Sequence, residues 1–237
     1  MSGGTSREER IHSLTFDGLE GEITSCRACP RLVAWRESVA LRKRKAHAEW
    51  DYWGKPVPGF GDPRARVLVV GLAPGAHGSN RTGRQFTGDA SGDFLFAALH
   101  EAGFASRPRA TSRDDGLRLH DMYITAAARC APPGNKPSSL ELTNCRPFLE
   151  RELELIAPRV IVCLGRVAFE QVTRVYRAEL ASRTPMRFGH GAAIRLDVDR
   201  WILCSYHPSQ QNTLTGRLTR AMFRSIWKKA QALLEAG

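Results

Sequence analysis

The chain has 237 residues, 42% of them hydrophobic and 25% charged, with a formal net charge of +11. That length supports one substantial core, and no run approaches the roughly 20 consecutive apolar residues of a membrane-spanning helix. The opening MSGGTSREERIHSL lacks the apolar stretch of a secretory signal, so a cytoplasmic protein is expected, and the basic excess points to a polyanionic partner, nucleic acid first.

Residues 1–22 read as a flexible tail and 23–237 as a single domain. From 23 to 44, ITSCRACPRLVAWRESVALRKR opens on a C-x-x-C turn and continues at helical period. Pro30 suits the first turn of that helix. The basic run Arg42, Lys43, Arg44 and Lys45 is a solvated face or a phosphate contact. WDYWGKPVPGFGDP, 50–63, is too rich in Pro, Gly and aromatics for a helix or central strand and reads as a shaped loop.

VLVV, 67–70, fits a strand buried on both faces. It breaks into GLAPGAHGSNRTGRQFTGD, where Gly71, Gly75 and Gly78 admit close backbone approach and His77, Asn80, Arg81, Arg84 and Asp89 supply polar groups. Residues 92–103 read as a helix closed by a glycine, and 105–116 as an exposed loop. MYITAAARC, 122–130, is a second strand spilling into APPGNKPSS, and 139–158 is a helix with Pro147 as a kink or restart. RVIVCLG, 159–165, is a third buried strand, followed by a helix over 166–180. Short strands at 192–197 and 201–206 lead to HPSQQNTLTG. The closing segment, 217–236, is an amphipathic helix with Leu218, Met222, Ile226 and Leu233 inward and Arg217, Arg220 and Arg224 on another stripe. This alternation predicts an α/β fold, a three-layer α/β/α sandwich with a central, mainly parallel sheet. Its strand ends would converge on one cleft.

Six cysteines in a chain read as cytoplasmic do not suggest a disulfide framework. Cys163 and Cys204, inside strands, read as small core residues. Cys26, Cys29, Cys130 and Cys145 lie in loops or near helix starts and suit a tetrahedral Zn(Cys)4 site or a 4Fe–4S cluster. Their spacing does not separate the two.

CRACPRLVAWRE (26–37), PVPGFGDP (56–63), GLAPGAHGSNRTGRQFTGDASG (71–92), TAAARCAPPGNKP (125–137) and YHPSQQNTLTGRLTR (206–220) together resemble the family 5 uracil-DNA glycosylases, the UDGb group of bacteria and archaea. The resemblance spans about 23–230. It implies the superfamily's α/β/α fold, removal of uracil and other damaged bases such as hypoxanthine from DNA, and a 4Fe–4S cluster on Cys26, Cys29, Cys130 and Cys145. Relatives in other families carry an acidic or amide residue soon after the loop's first glycine, where this chain has Leu72 and Ala73. That absence is the family 5 pattern and moves the catalytic carboxylate to Asp89, whose competing reading is an N-cap for the next helix.

The remaining assignments follow the same resemblance. His207, in H-P-S at a strand end, is the expected donor to the departing base. Phe86 is the stacking platform, unless it is core packing, and Asn135 reads the uracil edge, unless it is only a turn residue. Backbone groups of Gly71, Ala73 and Gly75 face the base. Asn80, Arg81, Arg84, Arg217, Arg220 and Arg224 contact DNA, and Gln210, Gln211 and Asn212 enter the duplex. The partner is DNA bearing uracil or another damaged base, bound by a monomer with no membrane contact. A rival reading is a non-catalytic iron–sulfur or zinc DNA-binding protein of the same fold.

Overall fold

The structure is a computed structural model that describes residues 15–180 and 186–236. Its first element is already a departure from the sequence reading. Helix α1 (Phe16–Ser25) is capped by the Thr15 hydroxyl, which accepts from the Gly18 N–H at 3.1 Å. Leu19 and Ile23 are 2% and 1% exposed, and the Phe16 ring lies 5.7 Å from that of Tyr123. The tail expected over 1–22 is therefore corrected from Thr15 onward. Gly18 and Gly21 lower helix propensity here, but an apolar face at 16, 19 and 23 overrides them by packing. The rest of the expected tail, residues 1–14, lies outside the described residues.

Helix α2 (Pro30–Arg42) has Pro30 in its first turn as expected. The chain then forms β1 (Phe60–Gly61), β2 (Val67–Gly71), a short α3 (Ser79–Thr82), α4 (Ala90–Glu101), β3 (Met122–Ala126), α5 (Ser139–Ile156) and β4 (Val160–Leu164). It ends with α6 (Arg166–Val175), α7 (Arg177–Leu180), β5 (Ala193–Arg195), β6 (Trp201–Ser205), α8 (Gln210–Leu214) and α9 (Arg220–Glu235).

The strand order is β1-β3-β2-β4-β6-β5. The central pairs are parallel, with Val67 opposite Met122 on one side and Val160 on the other, and Val160 opposite Trp201. Only the edge strands β1 and β5 run antiparallel. Alternation splits the strand side chains between two cores. Val67, Val69, Ile124, Val162 and Leu203 pack on α4 and α9 through Leu95, Phe96, Phe223 and Trp227. Leu68, Val70, Ile161, Cys163 and Cys204 pack on α5 and α6 through Leu149, Leu153, Phe169 and Val172. The expected three layers are thus present, and Cys163 and Cys204 are core residues.

Several boundaries shift for identifiable reasons. The second strand stops at Ala126, because Ala127 and Ala128 turn to donate to the carbonyls of Gly71 and Leu72 at 2.9 and 3.0 Å. Helix α5 runs unbroken through Pro147, carried by buried Leu142, Cys145, Leu149 and Leu153 and started by a Ser138–Glu141 capping box. The shaped loop at 50–63 contributes the edge strand β1.

Behind the end of β3 lies a buried ion pair. Arg129 Nη2 is 2.6 Å from Glu152 Oε2, with side chains 1% and 0% exposed, and Thr125 Oγ1 donates to the same carboxylate at 2.6 Å. Breaking one half of such a pair leaves an uncompensated buried charge. We expect Arg129→Met to cost about 3–5 kcal/mol in chemical denaturation, and Arg129→Met/Glu152→Leu to recover most of it. A cost below about 1 kcal/mol for the single change would show that the pair carries little, as exposed pairs do.

Candidate active site

The segment between β2 and α4 is shaped by contacts that only glycine permits. A β-carbon on Gly71 would fall 2.7 Å from Phe86 Cε2, and one on Gly92 would fall 1.8 Å from the Phe86 carbonyl oxygen. Phe86 itself has φ 52, a left-handed conformation that a bulky residue adopts only when its surroundings hold it there. The strain places its buried ring in the core while its edge reaches the end of β2. Gly71 thus serves this close approach, with its carbonyl already bonded to Ala127.

Asp89 takes the capping part anticipated for it, and its second oxygen is left out of the cap. Its Oδ1 accepts from the Gly92 N–H at 3.0 Å and caps α4. Its Oδ2 lies where a β-carbon on Gly78 would be 2.0 Å away and one on Gly75 2.8 Å away. Burial raises the carboxyl above its ordinary range, while the N–H groups of Gly92 and Ser91 and the Arg81 charge oppose the shift. The cap therefore uses one oxygen and leaves a desolvated second oxygen against the glycine-rich turn.

On the other flank, a cavity of about 310 Å³ opens where β2, β4 and β6 end, lined by Leu72, Leu164, Val167, Phe188, Tyr206 and His207, with Asn212 and Arg217 at its edge. The His207 ring lies 5.8 Å from the Phe86 ring at 31°. Burial depresses the imidazole to about 4, so it is neutral at pH 7 and keeps one N–H to donate. The aromatic wall was not legible in the sequence: Phe188 is 6.2 Å from Tyr206, and His190 stacks on Tyr206 at 5.0 Å.

The expected DNA contacts divide. Asn80 is fully buried and donates to the carbonyls of Arg36 and Ala76. Arg81 is buried, donating from Nε to His77 O and from Nη2 to Gly88 O, both at 2.8 Å, under the Trp50 ring. Arg84 is buried in an ion pair with Asp115 at 2.7 Å. These three are corrected from DNA contacts to buried supports of the loop, which Asn80 ties to α2 and Arg84 to Asp115. Asn212 donates to His207 O at 2.8 Å and so fixes the histidine loop rather than entering DNA. Arg224 pairs with Glu101.

Gln210, Gln211, Arg217 and Arg220 remain exposed. Arg217 lies 4.8 Å over the Tyr206 ring at the cavity mouth, and Arg220 lies 5.9 Å from the Phe94 ring. Asn135 stands exposed at φ 57 in a 3-10 turn and is not among the cavity-lining residues. Leu214, at the end of α8, is 82% exposed. A lone leucine in QQNTLTG was the available signal for it.

Comparison with known proteins gives the family of the chain. A profile described as Uracil DNA glycosylase superfamily matches residues 58–231. The chain is 55% identical over 212 residues to the type-5 uracil-DNA glycosylase of Thermus thermophilus, covering 89% of this chain and 94% of that protein. It is 51% identical over 218 residues to the type-5 uracil-DNA glycosylase of Mycobacterium tuberculosis, covering 91% and 80%. The chain belongs to the uracil-DNA glycosylase superfamily, in its type-5 branch. A type-4 uracil-DNA glycosylase of Archaeoglobus fulgidus is 31% identical over 201 residues, covering 82% of each.

In this type-5 chain the four expected cysteines converge. Cys26, Cys29, Cys130 and Cys145 line one small gap between the α1–α2 linker, the loop after β3 and the second turn of α5, with Arg129 at its wall. Arg36, itself buried, donates from Nη1 to Cys130 Sγ at 2.9 Å, and Asn144 Nδ2 lies 3.5 Å from Cys29 Sγ. Among the described residues no three His, Cys, Asp or Glu side chains gather closely enough to hold one metal ion. Ala73, in the glycine-rich loop, packs against the apolar cluster that includes Cys145.

Because burial lowers His207, the proton resonances of its imidazole are expected to titrate near pH 4 rather than near the ordinary 6.5. Stability then falls as the solution drops below about 6.5, where the unfolded histidine takes up its proton first. An inflection at or above 6.5 in the folded protein would contradict the neutral-donor assignment.

Proposed function

We propose that the chain flips uracil out of DNA and hydrolyses its N-glycosidic bond, leaving an abasic site without strand cleavage. The observation that carries this reading is the presence of a half-buried carboxylate, Asp89, and a half-buried neutral imidazole, His207, on either flank of one loop. Bond cleavage builds positive charge on the sugar and negative charge on the base. Asp89 Oδ2 faces the first, stabilising an oxocarbenium-like state or orienting water. His207 donates to the base oxygen as its charge develops, and neutrality suits that role because the anion forms only during the reaction.

Extrusion of the nucleotide costs roughly a few kcal/mol. Phe86, whose ring lies 5.8 Å from that of His207, is the candidate stacking surface, and Leu214, exposed at the end of α8, is suited to fill the gap left in the stack, as apolar wedges do. Asn135 reads the base edge from the loop between Cys130 and Cys145. Leu72 gives the cavity an apolar wall where relatives in other families carry an acidic or amide residue, which supports acceptance of other deaminated bases such as hypoxanthine. Among the described residues no helix is long and apolar enough to cross a membrane, and we read the protein as a cytoplasmic monomer acting on chromosomal DNA.

The four cysteines fit a 4Fe–4S cluster. They form an all-thiol donor set around one gap, and a buried guanidinium stands ready to offset negative charge. Such a cluster would tie the N-terminal segment to the loop of Asn135 and to the helix under Ala73, a structural role. The purified protein is expected to be brown and to hold iron and acid-labile sulfide in equal amounts, whereas a colourless protein with one zinc would refute the cluster.

The direct test is incubation with duplex DNA bearing one uracil, followed by alkali. Scission at the uracil after alkali, and none before it, is the expected result. Intact DNA together with tight binding would favour the non-catalytic reading instead.

A further inference from the structure

With Arg81 and Arg84 turned inward, the phosphate contacts that extrusion demands must come from elsewhere. One group of cations beside the catalytic loop has no counter-charge. Helix α2 ends at Arg42, and Lys43 takes φ 44 and ψ 167, close to a region that is essentially reserved for glycine. The chain then reverses into a 3-10 turn, Lys45–His47.

That costly turn is held from both sides. Lys43 Nζ donates to the Ala48 carbonyl at 3.3 Å, and the Arg44 N–H reaches Tyr52 Oη at 3.4 Å. Tyr52 Oη in turn lies 3.1 Å from His77 Nδ1. His77 sits two residues past Gly75, which abuts Asp89. A strained residue and a tyrosine bridge therefore fix the basic turn to the flank of the loop that carries the catalytic carboxylate.

The charges on this turn point at solvent. Arg42, Arg44 and Lys45 are exposed, and among the described residues none of them pairs with a carboxylate. Arg42 donates only to Ser38 Oγ, its neighbour one turn back. Glu49 and Asp51 follow on the same stretch without closing an ion pair on it. Arg27, Arg66, Arg113 and Arg224 each face an acid, whereas the cations of this turn stand together with none and are anchored to the loop of Asp89. The uncompensated field reaches the loop, since Arg44 is among the charges that hold both His47 and His77 below their ordinary range, after burial.

We propose that Arg42, Arg44 and Lys45 form a phosphate-binding arm that grips the DNA backbone on the Asp89 side of the site, opposite Arg217 at the cavity mouth. The proposal rests on the glycosylase reading for the identity of the polyanion. A nucleotide drawn into the site would then be flanked by cations on both sides, so that backbone binding offsets the cost of unstacking.

The test is the salt dependence of binding to a uracil-free duplex. Each phosphate contact contributes about −0.9 to the slope of log K against log salt. Arg44→Gln/Lys45→Gln is expected to make that slope shallower by about 1.8 and, extrapolated from 1 M, to weaken binding by about 60-fold at roughly 0.1 M salt. Arg42→Gln alone should change the slope by about half as much. Arg109→Gln/Lys228→Gln, which removes equal charge from exposed sites away from the arm, controls for net charge. A slope unchanged in the first variant, or changed equally in the control, overturns the arm while leaving wild-type binding and uracil excision intact. A wild type that binds no duplex overturns both the arm and the glycosylase reading.

Discussion

The start of α4 is the fixed point of the site. Three backbone approaches meet there, Gly92 on the Phe86 carbonyl, Gly71 on the Phe86 ring, and Gly75 and Gly78 on Asp89, and each leaves no room for a β-carbon. Because Asp89 caps the helix, its carboxylate is oriented by a hydrogen bond present whether or not substrate is bound. Such preorganisation avoids reorientation during the reaction. The expense is visible in the left-handed Phe86 and in a half-buried carboxyl pushed toward its neutral form, the kind of strain that a surrounding scaffold must sustain.

That scaffold is polar as well as apolar. Arg81 and Arg84 use charge-assisted bonds to close the loop on itself and onto the Asp115 segment, while Asn80 ties it to α2. Ala73 leans on the cluster that contains Cys145, and Arg36 and Arg129 bring buried guanidinium groups to the cysteine gap. The cysteines and the glycine-rich loop are therefore neighbours through packing.

The layered fold was legible because buried parallel strands write near-continuous apolar runs, as in VLVV and VIVCLG, and because the helices between them are amphipathic. α1 was not, since two glycines mask its apolar face. Within the site, the types of residue were legible but their directions were not. An arginine in a glycine-rich loop looks the same in sequence whether it reaches for phosphate or folds back to a carbonyl, and Arg81 and Arg84 fold back. Asp89 was read as a catalytic group or a cap; the geometry shows the cap on one oxygen and sets the other against Gly75 and Gly78. The aromatic wall of Phe188, Tyr206 and His190 comes from segments distant in sequence from the glycine-rich loop, and only the sheet order brings them to the cavity.

The central claim is that Asp89 serves chemistry beyond its cap, and it is tested most directly by Asp89→Asn. Asparagine caps a helix about as well as aspartate does, so stability should change by less than about 0.5 kcal/mol. Single-turnover excision of uracil at saturating enzyme should fall by about 100-fold or more, the scale typical of a positioned acid–base group, with duplex affinity retained. Excision near the wild-type rate, or a loss matched by an equal loss of folding stability, would contradict the account.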